Sequence, residues 1–211
     1  MTKFAVLVSG SGTNLQAILD AIRSGELQGE VSVVLSNKSK VQALERAARA
    51  GVPCITLPHR DFDSREAFDQ AMVNALREHS IDWVVLAGFM RLLTPVFLDA
   101  YQDRIINLHP SLLPAFPGSH GIRDAIRYGV KVTGCTVHLV TAGMDAGPII
   151  DQVPVPVTAE DTEQSLLARV QVEEHDLLVD VLRRASEGRL RVETTISGSK
   201  RVLSIPARQR R

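Results

Sequence analysis

Two polar side chains stand at the end of an apolar run near the middle of the chain. The stretch from Ile105 to Pro114 is IINLHPSLLP, so Asn107 and His109 lie two residues apart. In a β-strand, such residues point to the same face. An asparagine amide is an uncharged donor and acceptor, and a histidine exchanges a proton near neutral pH. The pair indicates either acid–base chemistry or a histidine that is hydrogen-bonded for structural reasons.

A carboxylate that could join this pair lies in the glycine-rich stretch AGMDAGP. Asp145 has no helix to cap there, although an Asx turn would also explain it. If Asp145 approaches His109, its negative charge stabilises an imidazolium that can meet an oxyanion or deliver a proton. Nothing in the sequence resembles a serine elbow or an activated cysteine, so the substrate would have to supply the nucleophile.

A second candidate site is the loop VSGSGTNLQ, which follows the first predicted strand. Gly10 and Gly12 let the backbone approach an anion at the N-terminus of the next helix. A dinucleotide fingerprint would place a third glycine where Leu15 stands, and the second strand ends in SNK rather than in an acid for a ribose. The loop therefore favours a single phosphate over NAD, with Thr13 and Asn14 as further partners. The alternative is a tight turn with an N-cap.

The composition favours a small-molecule partner. Basic and acidic residues number 24 each, so no overall basic field would attract nucleic acid or an anionic membrane. No apolar run is long enough for a signal peptide or a membrane span. Cys54 and Cys135 lie in apolar strand-like runs without metal-ligand spacing, which predicts buried free thiols. We therefore expect a cytoplasmic protein with no metal, nucleic acid or membrane partner.

These candidate residues need a scaffold, and the first half of the chain predicts one. The runs KFAVLVS, EVSVVLS, PCITL and IDWVVLAG lack polar alternation, as expected of parallel strands covered on both faces. Helical stretches between them end at Gly25 and Gly51, and a third opens with the capping pair Asp63 and Glu66. This repeating order predicts right-handed crossovers and an open, doubly wound sheet.

The pattern changes after RIINLHP. A loop rich in proline and glycine leads to a helix near GIRDAIRYG, and then VTGCTVHLV and PIIDQVPVPV predict an antiparallel pair that extends the sheet. A long helix is expected from about Thr162 to Glu187. We predict a single-domain α/β fold with a mostly parallel, Rossmann-like sheet over residues 1–190. Residues 191–211 form a basic tail, expected to be solvated and partly disordered.

Six stretches resemble, in order and spacing, the phosphoribosylglycinamide formyltransferase family of purine biosynthesis. They are VSGSGTNLQAI, FDSREAFD, VVLAGFMRLLTP, INLHPSLLP, MDAGPII and ARVQVEEH, and the resemblance runs from about Lys3 to Leu190. It implies transfer of a formyl group from the co-substrate 10-formyltetrahydrofolate to the amine of glycinamide ribonucleotide. The attack would be direct, through a tetrahedral intermediate and without a metal. A monomer and a homodimer are both compatible with the sequence.

The resemblance also implies roles for individual residues. These are, for catalysis, Asn107, His109 and Asp145; for the ribonucleotide, Gly12, Thr13, Asn14 and Glu174; and for the folate, Arg65, Met90, Arg91, Leu92, Leu93 and Asn107. Without the resemblance, Arg65 would be an exposed arginine placed unfavourably in the first turn of a helix. Glu174 would be one more charge on a helix face, and His138 is expected to be a structural histidine near the site.

The sequence departs from the family in the loop PAFPGSHGI. Ala115, Phe116 and Gly121 replace residues that are common in relatives, whereas His120 is kept. We expect tuned substrate contacts or loop mobility rather than loss of the chemistry.

Three alternatives stay open at this point. The first is another folate enzyme, either methionyl-tRNA formyltransferase or formyltetrahydrofolate hydrolase, each of which carries a further domain. The second is an NAD(P)-linked oxidoreductase, and the third is a catalytically silent ligand sensor on the same fold.

Overall fold

The computed structural model describes residues 1–204. Its main sheet contains β1 (Lys3–Val8), β2 (Glu30–Ser36), β3 (Cys54–Thr56), β4 (Trp83–Leu86), β5 (Ile105–His109), β6 (Val132–Leu139) and β7 (Ile149–Pro156). The helices are α1 (Thr13–Ser24), α2 (Gln42–Arg49), α3 (Arg65–Arg77), α4 (Pro95–Ala100), α5 (Gly121–Tyr128) and α6 (Glu163–Ser186). Within residues 1–204, no helix is both long and apolar enough to cross a membrane.

The seven strands follow the spatial order β3-β2-β1-β4-β5-β6-β7. The first five are parallel, whereas β6 runs antiparallel to β5 and β7 runs antiparallel to β6. This arrangement confirms the predicted α/β fold and its antiparallel extension. The strand order reverses between β1 and β4, and open α/β sheets bind ligands at the carboxyl ends of strands beside such a reversal.

The apolar core lies on both faces of the sheet, and β1 shows why. Its residues from Phe4 to Val8 are fully buried. Phe4, Val6 and Val8 pack in a cluster with α1 and α6, whereas Ala5 and Leu7 pack in another with α3 and α4. Burial of a large apolar side chain stabilises a fold by about 1.5–3 kcal/mol, so a strand covered on both faces has no use for polar alternation.

Two local predictions are wrong. Cys54 is exposed because β3 is a three-residue strand at the edge of the sheet, whereas Cys135 is buried as predicted. Helix α3 begins one residue later than the predicted capping pair implies, because its N-cap is Ser64. The Ser64 hydroxyl accepts the Ala67 N–H at 3.0 Å. The long helix α6 does have its predicted limits, with Thr162 as its N-cap.

Residues 191–204 of the predicted tail are exposed or partly exposed, but they contain regular structure that the sequence analysis did not predict. A hairpin of β8 (Leu190–Thr194) and β9 (Lys200–Ser204) follows α6. Arg184 of α6 donates to the Ser204 hydroxyl at 3.1 Å, and Lys200 forms an ion pair with Asp103 at 2.7 Å. The alternation of polar and apolar residues in LRVET and KRVLS is the strand signal. The remaining part of that tail, 205–211, lies outside the described residues.

We predict that Gly134→Ala destabilises the fold, because β6 approaches β7 closely at this residue. A Cβ at Gly134 would lie 2.0 Å from the carbonyl oxygen of Val153, a backbone atom that cannot rotate away. The free energy of unfolding should fall by about 3 kcal/mol in urea denaturation.

Gly10→Ala is the matched control, because a Cβ there meets nothing within 4 Å. Its free energy of unfolding should change by less than about 1 kcal/mol. Equal stabilities of the two variants would contradict the pairing of β6 with β7 in this register.

Candidate active site

The three candidate catalytic residues meet at the carboxyl end of β5. Asn107 and His109 belong to β5, and Asp145 lies in the loop between β6 and β7. The distance from His109 Nδ1 to Asp145 Oδ2 is 3.4 Å, and both side chains are largely buried. The contact that the sequence could only suggest is therefore present. A carboxylate at this distance stabilises a protonated imidazole.

The loop after β5 holds two of these side chains through its backbone. His109 Nε2 lies 2.8 Å from the carbonyl oxygen of Phe116, and the Gly118 N–H donates to Asp145 Oδ2 at 2.7 Å. The Ser111 hydroxyl donates to the carbonyl oxygen of Ala115 at 2.6 Å and so closes the turn. Because these contacts use backbone atoms, different side chains at positions 115 and 116 can maintain them.

Gly121 has a steric reason to lack a side chain. It is the first residue of α5, and a Cβ there would lie 2.9 Å from the carbonyl oxygen of Pro110, immediately after His109. The absence of a side chain at Gly121 therefore lets α5 pack closely against the chain at the end of β5.

His138 orients the Asn107 amide. Its Nδ1 lies 2.8 Å from the carbonyl oxygen of Leu139, so Nδ1 carries the proton and Nε2 is free to accept. Asn107 Nδ2 lies 3.1 Å from that Nε2, which turns the amide nitrogen toward β6. An amide has two N–H groups, so within the described chain the second one remains for a ligand.

Burial keeps His138 neutral. It lowers the pKa of His138 below its ordinary value, and this effect outweighs the opposing contributions of the Leu139 carbonyl and of Asp145. The Asp145 carboxylate lies 3.8 Å from His138 and 3.4 Å from His109. Asp145 therefore lies between His138, whose neutral form is favoured, and His109, which is the nearer of the two histidines.

A cavity of about 320 Å³ opens onto these residues. It is lined by residues 88–93, 107–110 and 140–145, together with Leu86, Gly118, Ser119 and His138. Its volume falls in the usual range of small-molecule sites. Met90, Leu92 and Met144 are more than half exposed at its rim. Exposed apolar side chains around a polar centre suit a ligand with a flat, partly apolar ring.

The predicted folate-binding segment is held by helix α3. Arg65 Nη2 donates to the Leu92 carbonyl oxygen at 2.8 Å, and the Asp69 carboxylate accepts the Thr94 N–H at 2.6 Å. The Arg91 guanidinium lies over the Phe68 ring at 5.4 Å. Arg65 therefore contacts the backbone of the segment, and a direct contact between Arg65 and folate stays a prediction.

The glycine loop packs against α2 as well as opening α1. Gly12 is the N-cap of α1 with φ 73°, and a Cβ there would lie 2.6 Å from the Cβ of Ala43. Arg46 of α2 donates to the Ser11 carbonyl oxygen at 2.9 Å, which brings a positive charge to the loop. Arg46 could not be predicted from the sequence, because an arginine on a later helix carries no signal that it reaches this loop.

Glu174 and Asn14 join α6 to the start of α1. Glu174 is buried, and burial raises its pKa from 4.5 to about 7 against the opposing effect of a hydrogen bond from Asn14.

Burial also raises the pKa of the neighbouring Cys135 thiol to about 12, with the Glu174 charge as a smaller cause. Cys135 is therefore not a nucleophile, in agreement with the sequence analysis. Within residues 1–204, no group of three or more His, Cys, Asp or Glu is arranged to hold a metal ion.

The chain is similar to known formyltransferases. It matches the family model described as formyl transferase over residues 2–182. It is 46% identical to phosphoribosylglycinamide formyltransferase of Escherichia coli K12 over 187 residues, which cover 89% of this chain and 88% of that protein. It is 44% identical over 186 residues to the human trifunctional purine biosynthetic protein adenosine-3, covering 88% of this chain but 18% of that protein.

The similarity to solved structures agrees with these sequence matches. The crystal structure of glycinamide ribonucleotide transformylase 1 from Symbiobacterium toebii has a TM-score of 0.93 at 48% identity, and the match covers 98% of this chain and 95% of that one. The chain therefore belongs to the formyl transferase family. Within that family it belongs with the phosphoribosylglycinamide formyltransferases, and it is an enzyme of that group.

We predict that the buried Glu174 carboxyl makes stability depend on pH. A carboxyl with a folded-state pKa of about 7 against an ordinary value of 4.5 favours folding while it is neutral. That contribution is complete below pH 4.5 and is lost as the pH rises through about 7. Relative to Glu174→Gln, the wild-type free energy of unfolding should fall by up to about 3 kcal/mol over this range.

The measurement is urea denaturation of both proteins at a series of pH values. Glu173→Gln, on the partly exposed neighbouring residue, is the control, and its free energy of unfolding should run parallel to that of the wild type. If the difference between wild type and Glu174→Gln did not vary with pH, the burial of Glu174 would be contradicted.

Proposed function

We propose that this enzyme transfers the formyl group of 10-formyltetrahydrofolate to the amine of glycinamide ribonucleotide in de novo purine biosynthesis. The observation that carries the proposal is the cluster of Asn107, His109 and Asp145 at one end of an apolar cavity. The similarity to phosphoribosylglycinamide formyltransferases supports both substrates. No activated nucleophile is needed in the protein, because the ribonucleotide amine is itself the nucleophile.

The reaction begins with attack of the amine nitrogen on the formyl carbon. The formyl oxygen then carries a negative charge, and the Asn107 amide and the His109 imidazolium donate hydrogen bonds to it. Both His109 nitrogens already have partners, at Asp145 and at the Phe116 carbonyl. A formyl oxygen bound by His109 therefore displaces one of these partners.

Collapse of the tetrahedral intermediate breaks the bond from the formyl carbon to the folate nitrogen. A proton must leave the attacking nitrogen and reach the departing one. Asp145 sustains the charge on His109 and organises a water molecule for this transfer. Its carboxylate is held by the Gly118 N–H at 2.7 Å, so its orientation is fixed before the substrates arrive.

The two substrates occupy two neighbouring regions. The ribonucleotide phosphate binds at Gly12, Thr13 and Asn14, where the first turn of α1 presents backbone N–H groups and the positive end of the helix dipole. Arg46 adds a full positive charge beside Ser11. Glu174 binds the ribonucleotide on its phosphate and amine side in this proposal.

The folate occupies the cavity beside Met90, Arg91, Leu92 and Leu93, with its formyl group toward Asn107. The irregular backbone of this segment provides donors and acceptors for the polar edge of the pterin, and its apolar side chains cover the ring. Arg65 supports this wall through its bond to the Leu92 carbonyl.

Residues 1–190 constitute the catalytic domain in this proposal, and the hairpin β8–β9 packs beside it. The partners are the two small molecules, and the protein acts as a monomer or a homodimer. The cytoplasm is the proposed location, because two free cysteines suit a reducing compartment.

We predict that the purified enzyme consumes 10-formyltetrahydrofolate only when glycinamide ribonucleotide is present. Direct attack by the acceptor amine requires this dependence, which is measured by following folate absorbance with and without the acceptor. Consumption without the acceptor would indicate a hydrolase. The absence of consumption under either condition would contradict the proposed reaction.

We also predict that His109→Ala lowers kcat by at least about a hundredfold, the usual loss when an oxyanion or acid–base group is removed. Binding of glycinamide ribonucleotide, measured by calorimetry, should change little, because the phosphate site lies on α1. His79→Ala, beyond the end of α3, is the control and should keep wild-type turnover. Near wild-type turnover of His109→Ala would refute this catalytic assignment.

A further inference from the structure

A buried polar network lies behind the wall of the cavity, at the carboxyl ends of β1 and β2. The Ser9 hydroxyl donates to Asn37 Oδ1 at 2.7 Å and accepts the backbone N–H of Met90 at 3.0 Å. Ser9 and Asn37 are 5% and 3% exposed, and neither lines the cavity. The network therefore reaches the cavity only through the backbone of the segment 90–93.

We propose that Ser9 and Asn37 are positioning residues that fix the backbone of residues 90–93 for the formyl donor. The inference rests on the proposed function, because that function makes this segment the folate wall. Neither side chain touches a substrate in this scheme, and both act through the Met90 amide.

The donor and acceptor capacity of a hydroxyl determines the direction of each hydrogen bond that Ser9 forms. A serine hydroxyl has one proton and two lone pairs. The Ser9 hydroxyl donates its hydrogen to the side-chain oxygen Oδ1 of Asn37, so a lone pair of Ser9 Oγ is left to accept the Met90 N–H. Asn37 is itself held, because its Nδ2 lies 3.3 Å from His59 Nδ1, and the His59 ring packs edge-on against Phe68. The rotation of both polar groups is thereby restricted.

The segment 90–93 depends on such contacts because it forms neither helix nor strand. Its backbone groups therefore need partners from side chains or ligands. Arg65 holds the Leu92 carbonyl oxygen, and Asp69 holds the adjoining Thr94 N–H. Ser9 holds the other end of the segment. The Arg65 contact is exposed, whereas the Ser9 contact is partly buried, and a hydrogen bond that is shielded from water costs more to leave unmade.

Asn37 occupies a position with a different use in other doubly wound folds. In a dinucleotide-binding sheet, the end of the second strand presents an acid to a ribose. In this protein the Asn37 side chain turns inward to Ser9 and His59. The end of β2 thus supports a neighbouring wall instead of binding a ligand, which also argues against an NAD(P)-linked oxidoreductase.

The test compares Ser9→Ala, Asn37→Ala and the double variant with the wild type. Ser9→Ala leaves the Met90 N–H without its partner, so the KM for 10-formyltetrahydrofolate should rise by about tenfold. The kcat at saturation and the KM for glycinamide ribonucleotide should change by less than about twofold. Asn37→Ala should have a smaller effect, and the double variant should be no worse than Ser9→Ala, because both act through one bond.

Ser32→Ala is the matched control. The Ser32 hydroxyl also bonds to a side chain, Glu30, but lies toward the other end of β2. Its two KM values and its kcat should equal those of the wild type.

Hydrogen exchange of the protein alone provides an independent measurement. Peptides that contain the Met90 amide should exchange about tenfold faster in Ser9→Ala than in the wild type or Ser32→Ala. Unchanged exchange together with an unchanged KM for the formyl donor would overturn the positioning role. Equal damage to kcat and to both KM values would also overturn it, because it would indicate general disruption.

The two proposals fail in different ways. A wild-type enzyme that neither binds nor consumes 10-formyltetrahydrofolate would overturn the proposed function and, with it, the folate role of this pair. If Ser9→Ala does not fold, Asn37→Ala still tests the positioning role of the pair. Its exchange at Met90 should be faster than in the wild type, and an unchanged rate would refute the role.

Discussion

The antiparallel pairing of β5 with β6 is the constraint on which the site depends. In this register Asn107 lies opposite His138, and His109 lies opposite Thr136. Because β6 runs against β5, β6 ends beside Ile106 near the start of β5, where the Val140 N–H donates to the Ile105 carbonyl oxygen at 2.9 Å. The loop between β6 and β7 must therefore turn back toward the carboxyl end of β5 to bring Asp145 within 3.4 Å of His109.

The sequence predicted the features that depend on local periodicity. The predictions of strand β5, which contains Asn107 and His109, and of the limits of α6 are confirmed. Both rested on local signals, namely strand alternation and helix caps. The exposure of Cys54 was not predicted, because the sequence of an apolar run does not distinguish a central strand from a short strand at the edge of the sheet. The approach of Asp145 depends on strand register, which no single segment of the sequence specifies.

The loop after β5 holds His109 and Asp145 through its backbone rather than through its side chains. The groups that touch His109 and Asp145 are the backbone carbonyl of Phe116 and the backbone N–H of Gly118. Glycine is favoured at position 118 by its φ of 94° and at position 121 by the close approach of the Pro110 carbonyl oxygen. Residues 90–93 of the cavity wall are also held through their backbone, by Ser9 at the Met90 N–H and by Arg65 at the Leu92 carbonyl oxygen.

In the proposed complex, the buried carboxyl of Glu174 gives ribonucleotide binding a chemical signature of its own. With a pKa of about 7, this group is divided between its charged and neutral forms at neutral pH. A ribonucleotide group that donates a hydrogen bond to the carboxylate would favour the charged form, so binding would release a fraction of a proton. That proton is taken up by the buffer. The heat of association would then vary with the ionisation enthalpy of the buffer, although the contacts in the complex stay the same.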